Sequence, residues 1–279
     1  MSRRNSERMG SHATPTAPAP QSQFADFSFV VPTEFVSLPS EGKYYPEGHP
    51  LHNKDVIEIK HMTAKEEDIL TSKALLSKGI AIDRVLQNVI VDPAISLDTL
   101  LAGDKNAIVI ALRAVSYGAD YETKVDCPSC DTSVTYKFDL NNPTINHGEV
   151  VEVYNMKQNQ NGTFDVILPI TEITATFRLL TARDESNILQ NLAKSNSGIE
   201  NNITEQLNLM VVAFNGETDR NTIRYVIDKL PSMDSMRIRT AYRFVNPTVE
   251  LNQKFECSNC GYEAEMEVPL TADFFWPQR

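Results

Sequence analysis

Lys124-Val125-Asp126-Cys127-Pro128-Ser129-Cys130 and Lys254-Phe255-Glu256-Cys257-Ser258-Asn259-Cys260 hold all four cysteines of the chain, in two matched Cys-x-x-Cys frames. Each frame lies between stretches that alternate apolar and polar residues: 121–126 and 132–140 around the first, 248–256 and 262–270 around the second. A period of two is the strand pattern, so each pair sits at the tip of a β-hairpin. A tight turn there aims two sulfurs and a few backbone N–H groups at one point, which is a zinc knuckle. Two knuckles supply the four thiolates that suit tetrahedral Zn2+. Cys127, Cys130, Cys257 and Cys260 are therefore the candidate ligands of one structural zinc. A shell of four sulfurs leaves no open position for a substrate, unlike catalytic zinc. A redox Cys-x-x-Cys would open a helix after a strand, whereas strands flank both frames here.

Working outward, each knuckle closes a longer unit. Asp104 precedes Cys127 and Asp234 precedes Cys257 by the same 23 positions (127 − 104 and 257 − 234). Between those points Ile108 matches Ile238, Ala111 matches Ala241, Arg113 matches Arg243 and Lys124 matches Lys254. Thr63-Ala-Lys-Glu-Glu-Asp-Ile-Leu70 resembles Thr181-Ala-Arg-Asp-Glu-Ser-Asn-Ile-Leu189, and each follows a strand-like stretch. The expected fold class is α+β: tandem duplicated helix–β-hairpin units joined by a four-cysteine zinc-ribbon-like site, with a β insertion between them. The expected boundaries are a disordered tail over 1–23, an N-terminal arm and β segment over 24–62, and repeat 1 over 63–143. A β segment over 144–180, repeat 2 over 181–270 and an aromatic tail over 271–279 follow. Within them, Thr63 and Glu66 form a capping box for a helix running to Gly79. A second helix covers 82–91, and Asp104 caps a third that Gly118 ends. Asn161-Gly162 turns a hairpin between strands at 149–156 and 163–170, and a further strand covers 172–180. Helices at 182–194, 203–214, 221–230 and 232–245 complete the pattern.

Composition narrows the function. The chain has 279 residues and a formal net charge of −11, which opposes a phosphate-binding surface. Carboxylates crowd both knuckles: Asp120, Glu122, Asp126 and Asp131 at the first, Glu250, Glu256, Glu263 and Glu265 at the second. A zinc-ribbon nucleic-acid-binding or transcription-associated factor is the alternative reading, and that acidity stands against it. A thiol redox enzyme is a third. No apolar run is long enough to span a bilayer, and residues 1–23 lack the apolar core of a secretory signal. His12, His49, His52, His61 and His147 are scattered, and no HExxH, GxGxxG, Walker A or GxSxG pattern occurs. Arg113 and Arg243 are expected to pair with carboxylates at helix ends. No catalytic residue and no small-molecule substrate are expected. The candidate partner-binding residues are aromatic: Phe24, Phe27 and Phe29 in the arm, Tyr44 and Tyr45 in a Pro- and Gly-rich loop, and Phe274, Phe275 and Trp276 at the end. For the last group, packing into the core competes with docking.

The segment Leu100-Leu-Ala-Gly-Asp-Lys-Asn-Ala-Ile108 through Arg113-Ala-Val-Ser-Tyr117-Gly118, with the Cys-Pro-x-Cys hairpin after it, resembles the baseplate hub and hub-assembly proteins of T-even-type contractile-tailed bacteriophages. The Leu38-Pro-Ser-x-Gly42-x-x-Tyr45 loop is similar too. The likeness covers roughly residues 36–140, and the second half only by architecture. It implies a non-enzymatic structural or assembly component of the tail baseplate hub, whose partners are other baseplate and tail hub proteins. The implied location is the virion tail baseplate, and the host cytoplasm during assembly. The zinc expectation rests on the cysteines themselves.

Overall fold

Val36 meets Ile57 across the first strand pair, with Ile59 beside it, and this buried apolar row seeds the core of the first half. The structure, a computed structural model, describes residues 30–76, 79–141, 143–150, 154–194, 202–268 and 272–275. Strand β1 (Thr33–Ser37) runs antiparallel to β2 (Val56–Lys60), with Thr33 opposite Lys60. The loop between them turns at Gly42, where φ is 71° and a Cβ would overlap backbone atoms of Leu51 and Lys54. Only glycine fits that combination of positive φ and close approach.

Helix α1 (Ala64–Thr71) starts at the expected capping box: Lys65 N–H donates to Thr63 Oγ1, and Thr63 N–H donates to the Glu66 carboxylate at 3.1 Å. The expected single helix to Gly79 breaks at Ser72, whose extended backbone separates α1 from α2 (Lys73–Leu76). Helix α3 (Ala81–Val89) gives way at Ile90, which bridges to Ile59 of β2. After a 3-10 turn at Leu97–Thr99 comes α4 (Ala102–Tyr117), then the first knuckle hairpin, β3 (Asp120–Asp126) and β4 (Ser133–Asp139).

The second half begins with β5 (Thr144–Asn146), β6 (Lys157–Gln158), β7 (Thr163–Ile167) and β8 (Thr174–Arg178). Helices α5 (Ala182–Lys194) and α6 (Asn202–Met210), strand β9 (Val211–Phe214), and helices α7 (Arg220–Asp228) and α8 (Ser232–Val245) follow. Strands β10 (Thr248–Glu250), β11 (Asn252–Glu256) and β12 (Glu263–Glu267) and a 3-10 turn at Ala272–Phe275 complete the described residues. Strands β6-β7-β8-β9 form one sheet in that order. Two expectations change here. The strand entering the Asn161-Gly162 turn is Lys157–Gln158, not 149–156. The helix expected over 203–214 stops at Met210, and Val211–Phe214 pairs with β8, where β-branched Val211 and Val212 suit a sheet better than a helix.

The halves show the same details at shifted positions. Thr163 opposes Arg178 in β7–β8 as Thr33 opposes Lys60 in β1–β2, and Leu-Pro follows the first strand each time, at 38–39 and 168–169. Thr181 and Asp184 repeat the cap of Thr63 and Glu66. Burial works to raise the Asp184 carboxyl, but the Arg178 guanidinium and Thr181 outweigh it and hold it below the usual carboxylate range.

Asp104 is not the helix cap. Leu101 occupies that position, and Asp104 is fully buried in the first turn of α4, pointing back at the loop after β1. Its carboxylate accepts from Ser40 N–H at 3.0 Å, Ser40 Oγ at 2.6 Å and the Tyr45 hydroxyl at 2.7 Å. Asp234, in the first turn of α8, accepts from Ile170 N–H at 2.8 Å and from Thr171 N–H and Oγ1 at 3.1 and 2.8 Å. Ser40 and Ile170 each stand 64 positions before the aspartate that receives their N–H.

Several contacts lock the halves together. Leu101 bridges to Thr181, and Gly103 packs directly against the Pro247 backbone, while within the second half β10 pairs with β5. Arg113 is buried and donates to the carbonyls of Phe274 (2.7 Å), Gly118 (2.6 Å) and Asp120 (3.4 Å). It binds carbonyl oxygens, not the carboxylates expected, because the chain end and the α4–β3 turn already surround its guanidinium. Arg243 is exposed and makes no ion pair among the described residues.

Candidate metal centre

Each knuckle is built by the same backbone moves. Cys127 N–H donates to Thr132 C=O at 3.0 Å, and Cys257 N–H donates to Tyr262 C=O at 2.9 Å. Asp131 N–H returns to Cys127 C=O, and Gly261 N–H to Cys257 C=O, both at 2.9 Å. The residue after the second cysteine is left-handed in each case, Asp131 with φ 52° and Gly261 with φ 69°. Glycine takes that conformation freely, and aspartate is among the few other residues that tolerate it.

The hairpins place the two knuckles face to face. Cys127 Sγ lies 3.7 Å from Cys260 Sγ, and Cys130 Sγ lies 3.8 Å from Cys257 Sγ. All four sulfurs fall within 4.8 Å of one another. Four thiolates at about 2.3 Å from a tetrahedral zinc stand about 3.8 Å apart, so the cross-hairpin distances fit that polyhedron. Cys127 and Cys257 are buried, Cys130 is partly covered and Cys260 is exposed, which leaves a path for the ion to enter.

Polar groups around the sulfurs favour the thiolate. The Thr132 hydroxyl and N–H, helped by Asn259, pull the Cys130 thiol down to about 6. Asn259 Nδ2 stands 3.6 Å from Cys130 Sγ and 3.2 Å from Thr132 Oγ1, so one side chain spans both knuckles. Backbone N–H groups of Cys260 and Asn259 lower Cys257 as well. Cys260 goes the other way, to about 12: the Tyr262 N–H favours its thiolate, but burial and the three neighbouring sulfurs outweigh it. A bound cation reverses that balance and deprotonates the last sulfur. The donor set thus fits a soft divalent metal with no position for a fifth reactant.

Below the sulfurs the hairpins touch directly. The Tyr136 hydroxyl donates to Lys254 C=O at 2.7 Å, and its ring packs edge-on against Phe255 at 5.2 Å. Asp139 N–H donates to Gln253 Oε1 at 3.0 Å, and Gln253 Nε2 returns to Asp139 C=O. The Tyr136 and Gln253 contacts carry no motif signature, so spacing alone did not reveal them.

The aromatic candidates divide. Tyr45 is buried, with its hydroxyl between Asp104 and Leu101 N–H, and its ring stacks on His49 at 4.4 Å. Phe274 and Phe275 are buried too, Phe274 edge-on to Tyr121 at 5.0 Å. These three are core residues and offer no docking surface, because burial of their rings stabilises the chain itself. Tyr44 is half-buried and reaches His147 C=O at 3.2 Å. Phe24, Phe27, Phe29 and Trp276 lie outside the described residues.

Among the described residues no helix is long and apolar enough to cross a membrane. Comparison with curated proteins yields no match, and neither does comparison with solved structures. A family model described as T4 bacteriophage base plate protein matches residues 31–276, a span that contains every described element of both halves. The chain belongs to that family of baseplate proteins of the phage tail.

Proposed function

We propose that the chain is a non-enzymatic structural or assembly component of the baseplate hub, a protein-interaction scaffold stapled by one structural Zn2+. The carrying observation is the meeting of four sulfurs from two hairpins more than a hundred residues apart, in a chain of the baseplate family. In this reading each half is one copy of a duplicated unit, and each copy contributes half of the metal site. Support comes from the matched strand registers, the repeated threonine caps, the two buried aspartates and the two identical knuckle turns. The unit then begins earlier than residues 63 and 181, at β1 and β7, so residues 163–180 of the expected β insertion belong to the second copy. The first copy has a longer loop after its first strand, and the second a longer helical middle.

The metal's part is mechanical. A thiolate pair from one half leaves zinc half-coordinated, so binding is complete only when both hairpins meet. The partners are other proteins of the baseplate and tail hub, met in the host cytoplasm during assembly. An amber mutant phage tests this. It should yield heads and tail parts without completed baseplates, and complementation by the wild-type chain should restore them. Normal baseplates in the mutant would contradict the reading.

A further inference from the structure

The outer edge of β1 is open where the corresponding edge in the second half is closed. In the β1–β2 register His61 N–H donates to Pro32 C=O and Leu38 N–H donates to Asp55 C=O, so Glu34 and Val36 also bond toward β2. Thr33, Phe35 and Ser37 therefore turn their N–H and C=O groups away from β2, and no described residue meets them. Thr163 and Asp165 turn the same way in β7, but there β6 takes them up. Asn159 N–H donates to Thr163 C=O at 2.8 Å, and Lys157 opposes Asp165.

The first half cannot copy that arrangement. Strand β6 returns onto β7 through a turn with Gly162 at φ 76°. The matching position (162 − 130) is Pro32, whose ring holds φ near −65°. Pro32 therefore bars the tight turn that brings β6 onto β7, and among the described residues no strand covers the outer edge of β1.

Other free edges are guarded by charge. Strand β3 carries Asp120, Glu122, Lys124 and Asp126, and β12 carries Glu263, Glu265 and Glu267. Charged edges discourage strand addition. Strand β1 has one charge, Glu34, and exposes Phe35 at 70%. Its five residues are also self-complementary. Antiparallel pairing of two β1 edges about an axis at Phe35 sets Thr33 opposite Ser37 and Glu34 opposite Val36, so the carboxylates do not face each other. The outward groups of both strands are then satisfied, and the two exposed rings meet.

We infer that β1 pairs with the β1 of a second copy, joining two β1–β2 ribbons into one four-stranded sheet across a twofold axis. An edge this short buries less than the roughly 1,000 Å² of a permanent interface, so the dimer is reversible. This association is independent of the metal.

Sedimentation velocity of the full chain, from about 1 to about 200 µM, tests it. The mass should rise with concentration from 31.3 kDa toward twice that value and stop there. Phe35→Lys opposes two ammonium groups at the axis, and Phe35→Pro removes an outward N–H that β2 does not use. Both variants should stay at one chain across the range, with the wild-type melting curve. A wild type that stays single, a dimer that survives both substitutions, or assemblies beyond two chains would each overturn the proposal.

Discussion

Cys127 Sγ and Cys260 Sγ stand 3.7 Å apart across 133 residues of chain, and Cys130 and Cys257 mirror them at 3.8 Å. Each close pair takes one sulfur from each hairpin. A cysteine lost on either side therefore breaks a sulfur cluster to which both halves contribute.

Cys127→Ser should release the metal and lower stability by about 4 kcal/mol or more, the scale of lost metal sites. Hydrogen exchange should show β3–β4 and β11–β12 losing protection together. Unchanged protection of β11–β12 would mean that the second hairpin stands without the first.

Asp104→Ala should cost about 3 kcal/mol, because Ser40 N–H, Ser40 Oγ and the Tyr45 hydroxyl all lose their buried acceptor. Asp234→Ala removes the acceptor of Ile170 and Thr171 and should cost a similar amount. Urea unfolding of both variants measures this. A neutral Asp104→Ala would remove the aspartate's role as anchor of the loop after β1.

How much of this was legible from the residues follows from the range of each signal. The cysteine frames, the Thr63–Glu66 cap and the limits of α5 and α8 depend on neighbours in sequence, and the pattern recovered them. Asp104 looked like a cap because an acid near a helix start usually is one. Its real partners lie 59 and 64 residues away, in a loop that no local rule connects to it. The switch from α6 to β9 failed for the same reason, since pairing with β8 decides it. The equal spacing of Asp104–Cys127 and Asp234–Cys257 suggested the correspondence of the halves. The strand register of β1–β2 and β7–β8 could only be seen in three dimensions.

Acid should strip the metal. The Cys130 thiol is depressed from 9.0 to about 6, so its favourable contribution is present above its unfolded value and is lost as pH falls through about 6. Removing the hydroxyl with Thr132→Val, or the amide with Asn259→Ala, should move the release midpoint to higher pH. A chelator-dye titration reads that midpoint. An unshifted midpoint in both variants would mean that these side chains do not support the thiolate.

Phe274→Ala should cost about 3–5 kcal/mol, the range for emptying a buried aromatic site. Its ring packs on Tyr121 and its carbonyl accepts from Arg113, so the chain end fastens the first half. Thermal melts should show one lowered transition. A loss below about 1 kcal/mol would place Phe274 outside the core.

Native mass spectrometry of the chain expressed with zinc addresses the shared centre most directly. One zinc per chain is expected in the wild type. No stoichiometric zinc is expected when either Cys127 and Cys130 or Cys257 and Cys260 are replaced by serine. A folded wild type free of metal, or a variant that keeps one zinc on a single hairpin, would contradict the account.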